Sequence, residues 1–250
     1  MRNEGYSMLE VNQLSHSYSD LRVLDDISFS ADEGQFLALV GANGCGKTTL
    51  LRLIAGLELP MSGSIRVGGQ FVTEPGPDRG LVFQEYALFP WLSVRQNVEF
   101  GLKMRNIPMA ERQRIGQRYI DMLGLTGFEK FRPNQLSGGM KQRAAIARAM
   151  ANDPRVLLMD EPFAALDCQT RAQMQEQLLQ VWQQEHKTVL FVTHNVEEAA
   201  VLADRVLIFS PRPARILESL DVGLVRPRDR TSPEVNRLRA YISKALHARS

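Results

Sequence analysis

Cysteine and long apolar runs are the two features that this sequence of 250 residues has least of. Its 2 cysteines, Cys45 and Cys168, lie far apart without metal-ligand spacing, so we expect a reduced, cytosolic setting. No apolar run approaches the roughly 18 residues of a membrane-spanning helix, and Met1–Gly5 leads into no segment typical of a signal peptide. We therefore expect any role at a membrane to depend on a partner protein.

A large excess of charge of one sign is also missing. The chain has 30 Lys and Arg residues against 28 Asp and Glu residues, a net charge of +2. This balance lacks the electrostatic footprint of a nucleic-acid-binding protein, so we expect no nucleic-acid partner. The length is sufficient for one sizeable core, or for a core with a small inserted lobe.

The stretch 41–49 carries the most specific motif, because it fits the phosphate-binding pattern G-x-x-x-x-G-K-[ST] in full. The apolar run 36–40 before it predicts a buried strand, and 50–55 predicts a helix after it. Backbone N–H groups of such a loop, at a helix N-terminus, face a polyphosphate. Lys47 is placed to reach the outer phosphates and Thr48 to bind Mg²⁺. Cys45, beside Lys47 at a helix start, is expected to have a lowered thiol pKa. The candidate ATP-binding residues of the loop are Gly41, Ala42, Asn43, Gly44, Cys45, Gly46, Lys47, Thr48 and Thr49.

The chain around this loop alternates between strand and helix patterns. Two strands precede it, around 9–14 and 24–29, with Tyr18 in a polar stretch between them, either as a packing residue or stacked on a nucleotide base. A small antiparallel piece follows at 62–67, and a short strand at 81–83 ends at Gln84. Capping-box spacing at 93–96 predicts a helix through Leu102, and a second helix covers 109–123. Together with a third helix, which starts at Ser137, these two helices form a predicted inserted helical lobe over about 92–152.

Three later stretches place polar groups at the ends of elements. Ser137 caps a helix whose first glycines leave N–H groups open to an anion. A buried strand, 156–159, ends at Asp160, suited to hold Mg²⁺ through water, and Glu161, suited to polarise an attacking water. The strand 188–192 is followed by His194, where a phosphate contact is expected. Each feature alone is more often an ordinary cap or surface group, but the phosphate loop in the same chain favours a functional role.

The C-terminal stretch 211–250 is rich in proline and arginine. Ser232-Pro233-Glu234 predicts a helix start, and apolar residues then fall on one face of the helix. We expect this helix to pack on its own domain rather than to dock elsewhere. We expect its basic residues to form a solvated face rather than a lipid site. The residues on the apolar face are Val235, Leu238, Ile242 and Leu246.

Taken in order, the phosphate loop, the Leu136-Ser137-Gly138-Gly139 element and the stretch 158–162 resemble ABC-transporter ATPase subunits. The LSGG element is specific, since other P-loop proteins lack it. The resemblance covers 8–220 and leaves 221–250 as a tail. It implies an α/β fold, a P-loop NTPase (RecA-like) core with an antiparallel β subdomain and an inserted α-helical lobe.

The resemblance also implies roles for single residues, with ATP and Mg²⁺ as ligands. Glu161, the switch His194 and the Q-loop Gln84 are the catalytic residues, and Asp167 belongs to the D-loop. Thr48, Gln84 and Asp160 hold the metal, and Tyr18 stacks on the base. The residues that contact the ATP of a partner chain are Leu136, Ser137, Gly138, Gly139 and Gln142.

A narrower likeness joins 75–84, 88–91 and 159–167 to the branch that serves nitrate, sulfonate and taurine importers. Asn195 and Ala164 depart from the usual Asp and Gly, but neither carries chemistry. The likeness implies a homodimer of ATPase subunits that sandwiches two ATP molecules, a transmembrane permease gripped by the helical lobe, and an extracytoplasmic solute-binding protein. Such a subunit works peripherally on the cytoplasmic side of the inner membrane. An aliphatic sulfonate such as taurine is the first expectation, with nitrate, bicarbonate and pyrimidine precursors as alternatives.

Two other classes of function, a soluble ABC ATPase without a transport role and a regulatory ATP-binding module, are less compatible with the sequence. DNA-repair ABC ATPases carry long coiled coils, whereas only about 90 residues without sustained heptads separate the loop from LSGG here. Translation-associated types carry two ATPase units, for which this chain is too short. A regulatory module that binds ATP without hydrolysis is expected to lack Glu161 or His194, and both are present.

Overall fold

A computed structural model describes residues 7–247, and contacts divide the chain into two compact units. The first unit consists of Met1–Gly76 and His186–Ser250, and the second of Pro77–Glu185. Among residues 7–247, no helix combines the length and apolar character that crossing a bilayer requires. In chain order the strands and helices are β1 (Ser7–Tyr18), β2 (Leu21–Asp32), β3 (Phe36–Val40), α1 (Lys47–Ile54), β4 (Ser62–Val67), β5 (Gln70–Phe71), β6 (Arg79–Val82), α2 (Val94–Val98), α3 (Phe100–Met104), α4 (Met109–Met122), α5 (Gly138–Ala151), β7 (Val156–Asp160), α6 (Cys168–Glu185), β8 (Thr188–Thr193), α7 (Val196–Leu202), β9 (Arg205–Phe209), β10 (Ile216–Asp221) and α8 (Pro233–His247).

An antiparallel sheet in the first unit has the strand order β2-β1-β4-β5. Alternate residues of β1 are buried on each side of an irregularity between Val11 and Leu14: Leu9 and Val11 before it, and Leu14 and His16 after it. Val11 pairs with Ile65, and Leu14 pairs with Ile27. The period of two in the sequence therefore reports a half-buried strand. This sheet confirms the predicted antiparallel β subdomain.

A second group of strands in the first unit contains the strand that precedes the phosphate loop. β3 lies between β8 and β9 and is parallel to both, and every residue of β3 is fully buried. Val40, the last residue of β3, pairs with Thr193 of β8. Because parallel strands end at the same edge, the phosphate loop and His194 both leave the sheet at that edge. β10, which the sequence pattern did not reveal, pairs antiparallel with β9.

The second unit contains the parallel pair β6 and β7, with helices α2 to α5 between them in the chain. Val82 pairs with Met159, so Gln84 and the Asp160-Glu161 pair follow the same edge. The capping box of Ser93 and Gln96 is present as predicted and starts α2. The single helix predicted from this cap through Leu102 is wrong in one respect, since α2 ends at Val98 and α3 begins at Phe100.

Helix α8 packs against α7 and β9 in the first unit, which confirms that it belongs to its own domain. Val235 and Ile242 are buried on the predicted face, and Leu238 and Leu246 are half-buried. The arginines of α8 itself are at the surface, with the Arg237 side chain 75% exposed and that of Arg239 39% exposed. Two arginines that precede α8 are buried instead: Arg228 is 9% exposed, and the Arg226 side chain is 11% exposed. The boundaries 8–220 and 221–250 stay a prediction.

Candidate nucleotide-binding site

The phosphate loop connects β3 to α1 through two glycines in the left-handed region of backbone space. Gly44 has a φ of 75° and Gly46 a φ of 123°. A Cβ atom on Gly46 would lie 2.9 Å from side-chain atoms of both Val23 and Leu24, so the backbone rests directly against β2. Only glycine combines this φ with this close approach. The loop therefore has the backbone shape of the predicted phosphate cradle.

Lys47, the first residue of α1, folds back into the loop. Its Nζ donates hydrogen bonds to the carbonyl oxygens of Gly41 and Ala42, at 2.9 Å each. The residue is 5% exposed, whereas Ala42, Asn43, Gly44 and Thr48 are exposed. The ammonium group is thus held at the mouth of the loop, where outer phosphates would need a counter-charge.

Arg212 is a second cation at the loop that the sequence did not reveal. Its Nε and Nη2 donate to the carbonyl oxygen of Gly44 at 3.1 and 2.8 Å. It comes from the stretch after β9, 168 residues from Gly44 in the chain. The available signal was topological, because β9 is parallel to β3 and residues after both strands share one edge.

Cys45 differs from the sequence-based expectation. The residue is 2% exposed, and this burial raises the pKa of its thiol, although Lys47 acts in the opposite direction. Desolvation disfavours the thiolate more than the nearby cation favours it. The prediction of a lowered pKa is therefore wrong, and Cys45 is a packing residue of the loop.

Tyr18 lies at the end of β1 rather than in a loop, and its side chain is fixed at the hydroxyl. Its hydroxyl donates to Glu58 Oε2 at 2.5 Å, and Arg52 Nη1 lies 3.1 Å from Glu58 Oε1. Burial and the Glu58 carboxylate raise the pKa of the phenol. The residue is 42% exposed, and the ring meets His16 edge-on at 4.9 Å between centroids. Stacking on a nucleotide base stays a prediction.

His194 is exposed in the turn between β8 and α7, and the residues on both sides of it are fixed. Thr193 Oγ1 donates to Glu198 Oε2 at 2.6 Å and accepts from the N–H of Asn195 at 2.9 Å. Asn195 caps α7, because its Oδ1 accepts from the N–H of Glu197 at 2.9 Å. His194 thus lies in a turn whose neighbouring residues are hydrogen-bonded to the first turn of α7. We call residues 193–195 the switch turn.

The carboxylate pair in the second unit stands at the end of β7. Asp160 is 7% exposed, and Glu161, which follows it, is half-buried with a φ of 43°. The N–H of Ala164 donates to the Glu161 carbonyl at 3.1 Å and closes a turn there. A non-glycine residue in this region stores roughly 1–3 kcal/mol of strain, which is concentrated at functional sites. The chain therefore turns away from the direction of β7 at Glu161.

Gln84 is exposed after β6 in the same unit, and a strained segment follows it. Tyr86 and Ala87 have φ values of 54° and 47°. Arg148 of α5 holds this segment, since its Nη1 donates to the Ala87 carbonyl at 2.6 Å and its Nη2 to the Tyr86 carbonyl at 3.2 Å. The Q-loop is therefore tied to the helix that begins at the LSGG element.

The LSGG element forms the start of α5. Ser137 is the N-cap, with its Oγ accepting from the Met140 N–H at 3.3 Å. A Cβ on Gly139 would lie 2.8 Å from Thr170 Cγ2, so this position has room only for glycine. Ser137 and Gly138 are exposed, whereas Leu136 is 7% exposed. Gly138 and Ser137 are therefore the surface groups that a ligand of this element would meet.

Gln142 differs from the expectation for this element. It is 0% exposed, and neither atom of its amide has a hydrogen-bond partner. It does not present its amide to the surface in this conformation, as a direct contact with the ATP of a second chain requires. Asp167, by contrast, is exposed and caps α6, because its Oδ1 accepts from the N–H groups of Gln169 and Thr170 at 3.1 and 3.0 Å. These hydrogen bonds, led by that from Thr170, lower the pKa of Asp167.

A glycine cradle with a buried lysine, at the carboxyl end of a parallel strand, defines a P-loop nucleotide-binding protein. The family model "ABC transporter" matches residues 24–164 of this chain. The chain belongs to this family and is an ABC-type transporter ATPase. The fold, family and ATPase class predicted from the sequence are confirmed.

Individual relatives agree with this assignment. The chain is 50% identical over 230 residues to a nitrate import ATP-binding protein of Synechocystis, with 90% of this chain and 86% of the relative covered. It is 40% identical over 238 residues to an aliphatic sulfonates import ATP-binding protein of Bacillus thuringiensis, with 94% of each covered. A solved dimeric ATP-binding cassette in a post-hydrolysis state, bound to ADP and Pi, superposes with a TM-score of 0.76 at 28% identity, covering 87% of this chain and 100% of that one.

Proposed function

We propose that this chain is the ATP-hydrolysing subunit of an importer for a small oxyanion, acting as one of two identical subunits that enclose two ATP molecules. The observation that carries the proposal is the complete phosphate loop with Lys47 folded into it, in a chain that also presents an exposed LSGG helix start. In the proposed dimer, the phosphate loop of one subunit faces Ser137 and Gly138 of the other. The dimeric relative bound to ADP and Pi supports this arrangement.

The metal ligands proposed for Mg²⁺ are Thr48, Gln84 and Asp160. Their hydroxyl, amide and carboxylate oxygens are donors of the kind that this hard cation prefers, and phosphates complete its coordination. When bound, Mg²⁺ would neutralise charge on the outer phosphates. Thr48 and Gln84 are exposed, which is compatible with contact to a ligand, and Asp160 is suited to act through water.

The hydrolytic step is assigned to Glu161 and His194. Glu161 accepts a hydrogen bond from the attacking water and orients it, from a position just after β7 where its positive φ turns the chain. His194 contacts the γ-phosphate from the edge of the sheet where the phosphate loop begins. Lys47 and the loop N–H groups hold the phosphates while ATP is bound and while it is hydrolysed.

The transport role requires a permease, and we propose that the helical lobe binds it. A cavity of about 210 Å³ in the second unit is lined by apolar and charged side chains and has the exposed Trp91 at its rim. Its lining consists of Trp91, Leu92, Gln96, Glu99, Phe100, Lys103 and Arg112. A solute-binding protein would deliver the solute from the other side of the membrane, and the ATPase subunit would not touch it.

The proposed solute is a small oxyanion, with an aliphatic sulfonate such as taurine as the first candidate. The names of the sulfonate and nitrate relatives both support an oxyanion. Uptake by proteoliposomes that contain the permease, this chain and the binding protein separates the candidates. Preferential uptake of radiolabelled taurine supports the sulfonate, whereas saturable nitrate uptake without taurine uptake contradicts it.

The ATPase assignment is tested with Glu161→Gln, which keeps the size of the side chain but removes its charge. Hydrolysis should fall by about 10²-fold or more, as is typical after loss of a positioned general base. Binding of Mg-ATP should persist because Lys47 and Thr48 are intact. The variant should therefore run as a monomer without nucleotide and as a dimer with Mg-ATP, measured by size-exclusion chromatography with light scattering.

A second substitution supplies the matched control. Adding Ser137→Arg places bulk and charge at the exposed helix start, so the Mg-ATP dimer should disappear while nucleotide binding remains. A Glu161→Gln variant that stays monomeric at saturating ATP and hydrolyses it at the wild-type rate would show that both the two-chain site and the role of Glu161 are wrong.

A further inference from the structure

The position of His194 depends on helix α7, which has only 7 residues. The switch turn is closed from the α7 side by the Thr193–Glu198 hydrogen bond and by the Asn195 cap. A shift of α7 would therefore carry the switch turn with it. What holds α7 in place then determines where the imidazole of His194 lies.

The C-terminal end of α7 is held by two arginines of residues 222–247, which we call the C-terminal strap. Arg228 Nη1 donates to the carbonyl oxygens of Ala200, Val201 and Ala203 at 2.8, 3.3 and 2.7 Å. Arg226 donates to the Leu202 carbonyl. The last carbonyl groups of a helix have no hydrogen-bond partners within the helix and carry partial negative charge. A buried guanidinium supplies both the missing donors and a compensating positive charge.

The N-terminal end of α7 is held by the same strap. Arg230 Nη1 lies 3.3 Å from Glu197 Oε1, and Arg239 Nη2 lies 3.5 Å from Glu197 Oε2. Glu197 also donates its N–H to the Asn195 cap of the switch turn. Val235 and Ile242 of α8 are buried and anchor the strap to the domain. The strap thus grips a short helix at both ends, although its arginines lie outside every catalytic motif.

We propose that Arg228 is a positioning residue for His194, through which the C-terminal strap sets the rate of ATP hydrolysis. The proposal rests on the role of His194 in the proposed function. Arg228 is not a ligand of the nucleotide. It acts by fixing α7 and hence the switch turn, so its loss should change turnover more than ATP binding.

The test compares Arg228→Lys with Arg237→Lys in the 250-residue chain. Lysine keeps the charge but has a single donor nitrogen, so it cannot reach the α7 carbonyls and the Leu224 carbonyl together, as Nη1 and Nε of Arg228 do. Arg237 also belongs to the C-terminal strap, but it lies on α8 with a side chain that is 75% exposed and paired with Glu234 rather than with α7. For Arg228→Lys we expect kcat to fall on the order of tenfold, with KM for ATP changed less than twofold. Arg237→Lys should leave both unchanged.

A spectroscopic measurement reads the position of His194 without relying on activity. The chain has 4 histidines, and His194→Ala assigns the His194 Cε1–H resonance in a proton NMR spectrum. Arg228→Lys should shift this resonance and leave in place that of His186, which precedes β8 at the end of the strand opposite His194. If Arg228→Lys does not fold, Glu197→Gln releases the other end of α7 at a side chain that is 32% exposed, with the same expected changes.

A double-mutant cycle separates this proposal from simple destabilisation. In a His194→Ala background, Arg228→Lys should have no further effect on kcat, because residues that act through one another are not additive. An equal loss of kcat in both backgrounds, or an unshifted His194 resonance in folded protein, overturns the proposal. A wild-type rate for His194→Ala alone would instead refute the role of His194 in the proposed function, while the NMR result would still report on positioning.

Discussion

At the scale of single residues, Cys45 shows how burial competes with neighbouring charge. The thiol lies beside Lys47 at the start of α1, a setting that favours the thiolate. Its 2% exposure opposes this, and the pKa rises rather than falls. At pH 7–8 the thiolate fraction is therefore smaller than that of an ordinary exposed cysteine.

This difference predicts that Cys45 is alkylated much more slowly than Cys168 in the folded, nucleotide-free protein. Cys168 is exposed and serves as an internal control, and urea-unfolded protein should label at both positions. Mass spectrometry of the two peptides after a timed pulse of iodoacetamide measures the ratio. Equal labelling of both residues in the folded chain would contradict the assignment of Cys45 as a packing residue.

Sequence patterns predicted the local structure around Lys47 and Ser137 but not which distant residues surround the predicted site. The motif positions of Lys47 and Ser137 follow from short-range rules for loops and caps, and the structure places both as those rules require. The burial of Gln142 and Cys45 and the contact of Arg212 with Gly44 depend on distant residues. No local pattern contains that information.

At the scale of elements, Asn97 organises the segment before α2. It is 0% exposed, and its Oδ1 accepts from the Phe89 N–H at 2.9 Å. Its Nδ2 donates to the carbonyl oxygens of Phe89, Leu92 and Ser93 at 3.2, 3.1 and 3.0 Å. One amide thereby replaces the regular backbone hydrogen bonds that this irregular segment lacks.

Asn97→Ala is therefore predicted to lower the free energy of unfolding by about 2–3 kcal/mol, because it leaves buried backbone groups without partners. Asn236→Ala is the control, since Asn236 is exposed and its side chain makes two surface hydrogen bonds, donating to the Thr231 carbonyl and accepting from Arg239 Nη1. Urea denaturation followed by circular dichroism measures both variants. A loss below about 0.5 kcal/mol for Asn97→Ala would show that the loop is not held by this amide.

Most elements were predictable because their signals are local. Capping residues located the starts of α2 and α5, and continuous apolar runs located β3, β7 and β8. β10 was missed because its residues are half-buried or exposed, so no alternation marks it. The burial of Arg226 and Arg228 was not predicted, since sequence does not show that α7 offers them its carbonyls.

At the scale of the whole molecule, the predicted site residues are distributed over two units. The phosphate loop, Tyr18 and His194 belong to the first unit, and Gln84, the LSGG element and the carboxylate pair belong to the second. Both units contribute a strand edge that ends in polar residues, which is the general location of ligand sites in parallel sheets. The sequence predicted only a helical lobe over about 92–152, so it foresaw neither the place of Gln84 and the carboxylate pair in the second unit nor the positive φ of Glu161 and Tyr86.

The manner of membrane attachment is a property of the whole molecule that the side chains constrain. Basic residues near a terminus can bind anionic lipid, but Arg228 and Arg226 are committed to carbonyls of α7, and Arg230 pairs with Glu197. The apolar face of α8 is packed inward. The exposed group best placed for a partner is Trp91, 66% exposed beside the cavity of the helical lobe.

We therefore predict that the permease, rather than lipid, recruits this subunit to membranes. Co-expression with the permease should move the chain into the membrane fraction, and Trp91→Glu should reduce that fraction severalfold because it places a charge where an apolar contact is expected. Phe71→Glu is the matched control, since Phe71 is an exposed aromatic of the first unit, at 58%. Quantitative immunoblotting after ultracentrifugation gives the distribution. Binding of the chain alone to anionic liposomes, lost at high salt, would show instead that free basic residues hold it at the lipid surface.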